Sequence, residues 1–165
     1  MKNLKRIAKF YKVSKEQFVK DSQNEGAYEN IILPVRATSG SAGYDFFSPF
    51  DFTLSPGETI KIPTGIRAEI DNGWVLMLYP RSGLGFKYRL QLNNTVGVID
   101  SDYFGSDNEG HIMAKITNCS NEGKTVTVKA GDAFLQGVFT EFGITEDDDA
   151  TAVRNGGFGS TGGKS

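Results

Sequence analysis

Five short stretches of this chain carry side chains able to handle a polyanion and a flat ring. Pro80-Arg-Ser-Gly-Leu-Gly85 combines a guanidinium, a hydroxyl and two glycines, a set suited to phosphate. Arg154-Asn-Gly-Gly-Phe-Gly-Ser-Thr-Gly-Gly163 repeats that set near the C-terminus and adds one aromatic face, Phe158, for a base to stack on. Asn93-Asn-Thr-Val-Gly-Val-Ile-Asp100-Ser-Asp-Tyr103 reads as a hairpin marked by Asn94 and Gly97, with Asp100 and Tyr103 just beyond it. Ser39-Gly-Ser-Ala-Gly-Tyr-Asp45 and Gly131-Asp132, followed by Gln136, complete the set. The chain has one histidine, His111, and one cysteine, Cys119. Ser-His-Asp and Cys-His catalysis would both fall on that histidine, so hydrolysis is expected to use water and a carboxylate. Neither an internal disulfide nor a zinc site can be assembled.

The elements that position these stretches read as strands. Alternating runs at Ile31–Arg36, Phe52–Leu54, Thr59–Ile62, Ile66–Ile70, Trp74–Tyr79, His111–Thr117, Thr125–Lys129 and Phe134–Thr140 are separated by turn signals such as Ser55-Pro-Gly-Glu58 and Asp71-Asn-Gly73. One short helix is expected over Ser82–Tyr88. The helices of an α/β sheet are missing, so the expected class is all-β, a sandwich or barrel. Leu4, Ile7, Phe10 and Tyr11 fall near the helical period, and Ser14 with Gln17 reads as a capping box that opens a second helix. The expected division is therefore a helical extension at 1–29, a β domain at 30–145 and a flexible glycine-rich arm at 146–165.

At 165 residues the chain fits one domain, and its formal charge of −2 gives no overall bias toward nucleic acid. Residues 1–20 hold seven basic side chains against one glutamate, which is read as a solvated flank rather than a nucleic-acid arm. No apolar run approaches the ~20 residues of a membrane helix and no signal peptide is visible, so a cytoplasmic protein without membrane contact is expected.

Taken in order, Ser41-Ala-Gly-Tyr-Asp45, Pro80-Arg-Ser-Gly83, Gly97-Val-Ile-Asp-Ser-Asp-Tyr103, Gly131-Asp132 with Gln136, and Arg154 with Gly157-Phe-Gly-Ser-Thr-Gly162 resemble the five motifs of the trimeric deoxyuridine triphosphatase family. The resemblance spans Ile31 to Gly162. It implies a jelly-roll-like β-barrel or sandwich, a homotrimer with active sites shared between subunits and closed by the C-terminal arm, and Mg²⁺-assisted conversion of dUTP and water to dUMP and pyrophosphate. By motif position, Asp100 is the general base and Gln136 lies near the nucleophile and phosphate. Asn94, Gly97, Val98 and Ile99 form the uracil pocket, Tyr103 packs under the deoxyribose, and Phe158 stacks on the base. Arg81, Ser82, Gly83, Gln136, Arg154, Gly159, Ser160 and Thr161 hold phosphates, and Asp45 reaches the metal through water. Two departures stand out: Ala133 where a basic residue is common, and a long connection over 104–110 that is expected to be a tolerated surface insertion. A related fold, the dCTP deaminase, needs an acid in the strand after the third motif, where this chain has Lys115. A trimer acting mainly as a protein-binding regulator is the other alternative, its partner unknown.

Overall fold

Period-two alternation, the main signal of the sequence, is written directly into burial: in Ile66–Ile70 the residues Ile66, Ala68 and Ile70 are buried while Glu69 is exposed. The computed structural model describes residues 4–156. In chain order the elements are β1 (Ala8–Lys12), α1 (Lys15–Ser22), a 3-10 turn (Glu25–Asn30), β2 (Tyr44–Phe47), β3 (Phe52–Leu54), β4 (Thr59–Pro63), β5 (Ile66–Ile70), β6 (Trp74–Pro80), α2 (Ser82–Tyr88), β7 (Leu90–Leu92), β8 (Gly97–Ile99), a 3-10 turn (Ser101–Gly105), β9 (Met113–Asn118), β10 (Val126–Val128) and β11 (Ala133–Glu141).

Every ladder is antiparallel. One sheet has the order β2-β11-β6-β8 and another β4-β9-β7, with β3-β10 and β1-β5 as two-stranded pieces. From β6 to β9 the chain alternates between the two larger sheets, so its connections cross from one to the other as in a jelly roll, and it returns to the first with β11 after β10 has paired with β3. Phe46, Leu76, Leu78, Phe134 and Leu135 of the first sheet and Ile62, Leu90, Ala114 and Ile116 of the second share a single core. The architecture is a jelly-roll-type sandwich, with no closed barrel among the described residues.

The N-terminal segment departs from the expected helix at its first half. Ala8 to Lys12 is a strand, registered residue by residue from Ala8 opposite Ile70 to Lys12 opposite Ile66. Phe10 packs against Tyr44, Phe46 and Phe139, whereas its neighbour Tyr11 lies against Phe104 and donates to Glu69. Consecutive aromatics thus find partners on opposite faces, which a strand allows and a helix does not. The helical spacing misled because Leu4, counted in it, is exposed. The second half is helical as expected: Ser14 Oγ accepts from the Gln17 N–H at 3.1 Å. Phe18 of α1 is fully buried, worth about 1.5–3 kcal/mol of transfer free energy.

Two further expectations are corrected. Ile31–Arg36 is not a strand; Pro34 offers no donor, and only Val35 bridges to Asp45. β2 stands instead at Tyr44–Phe47, hidden in the sequence behind the glycines that precede it. Asn94 to Gly97 is not the turn of a hairpin, because β7 pairs with β9 and β8 with β6. The turn carries the chain from one sheet to the other, with Thr95 at φ 69°, a strained value for a β-branched residue.

His111 is a structural residue. It is fully buried, its Nε2 accepts from the Gly65 N–H at 2.9 Å, and its Nδ1 lies 2.6 Å from Asp21 Oδ2. The Gly65 bond fixes the tautomer, so Nδ1 carries the proton and donates it to Asp21. Burial pushes the imidazole below its ordinary 6.5, against the raising influence of Asp21. The unfolded chain therefore binds a proton that the folded chain refuses, and stability present above that value is lost as pH falls below it. The melting temperature should drop between about pH 7.5 and 5.5, and His111→Ala, less stable throughout, should flatten that slope. An equal slope in wild type and variant would show that the histidine does not carry it.

Candidate active site

The first cluster is built on β11. Gln136 faces Asp45 of β2 on one side and Tyr79 of β6 on the other, so two of the motif residues share one rung of the sheet. β6 then runs out at Pro80, and Arg81 is tied back to the same sheet by its N–H, which donates to Phe134 O at 3.1 Å. Its guanidinium Nε stands 3.3 Å from Asp45 Oδ1. Ser82 and Gly83 open α2, and with Arg81, Thr127, Asp132 and Ala133 they line an open cleft of about 490 Å³. Gly43 leaves room for Gln136: a Cβ there would meet Gln136 Oε1 at 2.6 Å. Thr127 of the cleft wall was not marked by the sequence reading, since a threonine in an alternating strand looks ordinary, and Asp132 was quoted within a motif without a role.

The second cluster surrounds the β7–β8 turn. Asn94, Val96, Gly97, Val98, Ile99 and Tyr103 line a cavity of about 230 Å³ with Leu78 behind them. Gly97 is needed where β8 meets β6, because a Cβ there would meet the Leu78 Cβ at 2.9 Å. The Tyr103 side chain is held at its far end, its hydroxyl donating to His111 O at 2.7 Å and accepting from Asn108 Nδ2 at 2.8 Å. Burial pushes the phenol above its ordinary 10.0, so it stays neutral. Asp100 follows directly on β8.

Arg154, expected on phosphate, is here paired with carboxylates of its own chain. Its Nη2 donates to Asp100 Oδ2 at 2.5 Å and its Nε to Asp102 Oδ1 at 2.9 Å, with the guanidinium 6.0 Å from the Tyr103 ring centre. Asp102 is a partner that the sequence reading quoted within a motif without assigning it a role. Phe158, Gly159, Ser160 and Thr161 lie outside the described residues.

The two clusters are far apart within one chain. Ile99 pairs with Leu76, which puts Asp100 level with Val75, whereas Gln136 is level with Tyr79. Four residues of strand separate the two levels by about 13 Å. β8 and β11 also lie on opposite sides of β6. The cleft and the cavity have no lining residue in common. Lys115 is exposed and sits opposite Lys61, so no acid stands at the position that a deaminase would need.

Comparison with known proteins places this geometry in a family. The dUTPase family model matches residues 29–162. The deoxyuridine 5'-triphosphate nucleotidohydrolase of Lactococcus lactis is 42% identical over 140 residues, covering 82% of this chain and 92% of the relative. That of Hahella chejuensis is 44% identical over 142 residues, covering 81% and 89%. Among solved structures, the dUTPase from Streptococcus mutans superposes with a TM-score of 0.65 at 37% identity, covering 83% of this chain and 98% of its own. The fold is also shared by a mutant dUTPase of phage phi11 of S. aureus, TM-score 0.65 at 23% identity over 89% of this chain and 98% of its own, a structure described for its coordination of a structural Mg(II) ion.

Gly43→Ala tests the first cluster. The backbone there tolerates alanine, and the atom that the new Cβ meets is the end of a flexible side chain, so the amide of Gln136 should swing out of place. The melting temperature should stay within about 3 °C of wild type. Turnover of the nucleotide for which the relatives are named should fall about as far as in Gln136→Ala; wild-type turnover in Gly43→Ala would show that the Gln136 amide is not needed there.

Proposed function

The chain belongs to the dUTPase family and hydrolyses dUTP to dUMP, and we propose that it does so at sites completed by more than one copy of the chain, with Asp100 as the base. The observation that carries the shared site is the separation of the clusters. A general base works within hydrogen-bond reach of the proton it takes. Asp100 stands about 13 Å along the sheet from the level of Asp45 and Gln136, too far for one chain to bring both to a single α-phosphorus. A neighbouring copy that presents its phosphate cleft to this chain's nucleoside cavity removes that conflict, and a closed ring of three is the assembly that the family resemblance implies.

In this reading Asn94 and the β8 backbone read the uracil ring, and Tyr103 packs under the deoxyribose, where a 2′-hydroxyl has no room. Cytosine presents donor and acceptor in reverse, so the wrong base would leave buried polar groups unpaired. Asp100 orients a water for attack on the α-phosphorus and accepts its proton. The P–O bond to the bridging oxygen breaks, pyrophosphate leaves, and dUMP keeps the new oxygen. Arg81, Ser82 and Gln136 of the partner copy would hold the phosphates and offset charge on the leaving group. Arg154 must release Asp100 for the carboxylate to act, and the phosphate charge is the natural competitor for its guanidinium.

Magnesium fits the cleft as an ion carried mainly by substrate. Among the described residues no three His, Cys, Asp or Glu side chains gather to form a protein cage. Of the two carboxylates there, Asp132 lines the cleft and accepts from Lys129 N–H of its own turn, while Asp45, its side chain 19% exposed, stands beside it against Arg81. That is the donor set of an ion that keeps its waters and binds through phosphate, with Asp45 reaching it by way of water. When bound, the ion neutralises phosphate charge and orients the triphosphate. A cytoplasmic location is part of the same proposal; no helix among the described residues is long and apolar enough to cross a membrane.

Pyrophosphate release from dUTP, dCTP, dTTP and UTP with Mg²⁺, with ammonia followed in parallel, tests the activity and its selectivity. Release from dUTP alone is expected. Asp100→Asn should lower kcat by about 10²–10⁴-fold with KM far less affected; near-normal turnover would remove Asp100 from the role of base.

The shared site has its own test. Co-expressed Asp100→Asn and Gln136→Ala chains, each inactive alone, should form mixed assemblies with about a quarter of wild-type turnover, because some sites then receive both native residues from different chains. No recovery in assemblies shown to be mixed would mean that one chain supplies both.

A further inference from the structure

The 104–110 connection is not a free surface insertion. Glu109 adopts φ 60°, uncommon for a residue with a side chain, and its carboxylate reaches α1, where it accepts from Ser14 N at 2.8 Å and Ser14 Oγ at 2.6 Å. Two residues on, His111 donates to Asp21 at the other end of α1. Gly110 between them, at φ 70°, lies against the backbone of Tyr103 and Phe104, where a Cβ would meet Tyr103 O at 2.6 Å. The same connection holds the Tyr103 hydroxyl through Asn108 Nδ2 and His111 O. Phe104 is held from a third side by Tyr11 of β1 and by Arg67, whose guanidinium stacks 3.7 Å over its ring and donates to its carbonyl at 2.7 Å.

We propose that the β1–α1 segment, through Ser14 and Asp21, positions Tyr103 and so sets how strongly the enzyme prefers deoxyribose to ribose. This rests on the reading of Tyr103 as the residue under the sugar. The segment lies outside the stretch matched by the family model, residues 29–162. Asp21 and Glu109 touch no substrate in this account; they are positioning residues. A rigid Tyr103 excludes the 2′-hydroxyl, whereas a loosened one yields to it. Loosening therefore narrows the gap between dUTP and UTP more than it slows the chemical step.

The test uses the full chain and compares Asp21→Ala with Asp21→Asn, and Glu109→Ala with Glu109→Gln. The Asn and Gln variants keep an acceptor for His111 Nδ1–H and for Ser14. In the alanine variants the ratio of kcat/KM for dUTP to that for UTP should fall by about fivefold or more, chiefly through KM, while kcat for dUTP stays within about twofold. The amide variants should retain the ratio. An unchanged ratio in folded Asp21→Ala and Glu109→Ala, or an equal loss in the amide variants, would overturn the proposal. Should the alanine variants not fold, native-state hydrogen exchange on the wild type decides it: amides of 15–22 and 101–111 should open together, and independent opening would refute the coupling. A wild type that turns over UTP as well as dUTP would instead overturn the assignment of Tyr103 itself.

Discussion

The position of β11 between β2 and β6 decides where everything else in the site can be. Because Gln136 is locked opposite Asp45 and Tyr79, the phosphate residues gather at the end of β6 where the strand gives way to α2. A slip of one residue would turn Gln136 into the core and bring Leu135 or Gly137 to the cleft, since side chains alternate between faces. Leu135 is fully buried and Gly137 fills the narrow gap between Leu76 and Phe46, so the register is held by the core and the site inherits it. On the other edge of β6 the same logic fixes β8 through Gly97 and places Asp100 at the opposite end of the strand. The fold thus sets Asp100 and the level of Gln136 about 13 Å apart along the sheet, the separation on which the proposed shared site rests.

The charges of the chain are arranged to fit that division. Asp45 is neutralised by Arg81, and Asp100 with Asp102 by Arg154, so each half-site pairs its carboxylate with a guanidinium. Both arginines have phosphate as an alternative partner, and a triphosphate offers more charge than one carboxylate. In the proposed reading, substrate would exchange partners without stranding a cation and would free the two acids. Partly exposed pairs of this kind contribute little stability by themselves, which keeps the exchange inexpensive.

Much of this was legible in residue order, and the failures have physical causes. β5, the α2 boundaries and the Ser14 cap were readable because alternation, a strand-to-helix switch and a capping side chain are local signals. β1 was misread since Leu4, Ile7 and Phe10 fit a helical spacing, while what holds the strand is the open edge of β5, nearly sixty residues away. The turn at Asn94 looked like a hairpin because Asn and Gly mark turns without saying which strands they join. Asp45, Arg81 and Gln136 could be named from motifs, but the sharing of one rung by Asp45 and Gln136, with Arg81 at the strand end beside them, is a property of register. Arg154 was tied to phosphate by its glycine-rich surroundings, and its pairing with Asp100 and Asp102 depends on a fold that no spacing reveals.

The extension and the long connection make physical sense only as a pair. Without α1, Glu109 would hold a strained backbone angle with no hydrogen-bond partner for its carboxylate, and His111 would leave its Nδ1–H unsatisfied in the core. Without the connection, the first turn of α1 would lose Glu109, and Asp21 would face the core with no imidazole to receive. Hydrogen bonds from both Ser14 groups outweigh the raising effect of burial and keep the Glu109 carboxyl below its ordinary 4.5, so the pairing is made with the ionised form. Two features that look unrelated in sequence, a basic N-terminal segment and a lengthened loop, are therefore two sides of one contact. That contact ends on the hydroxyl of Tyr103.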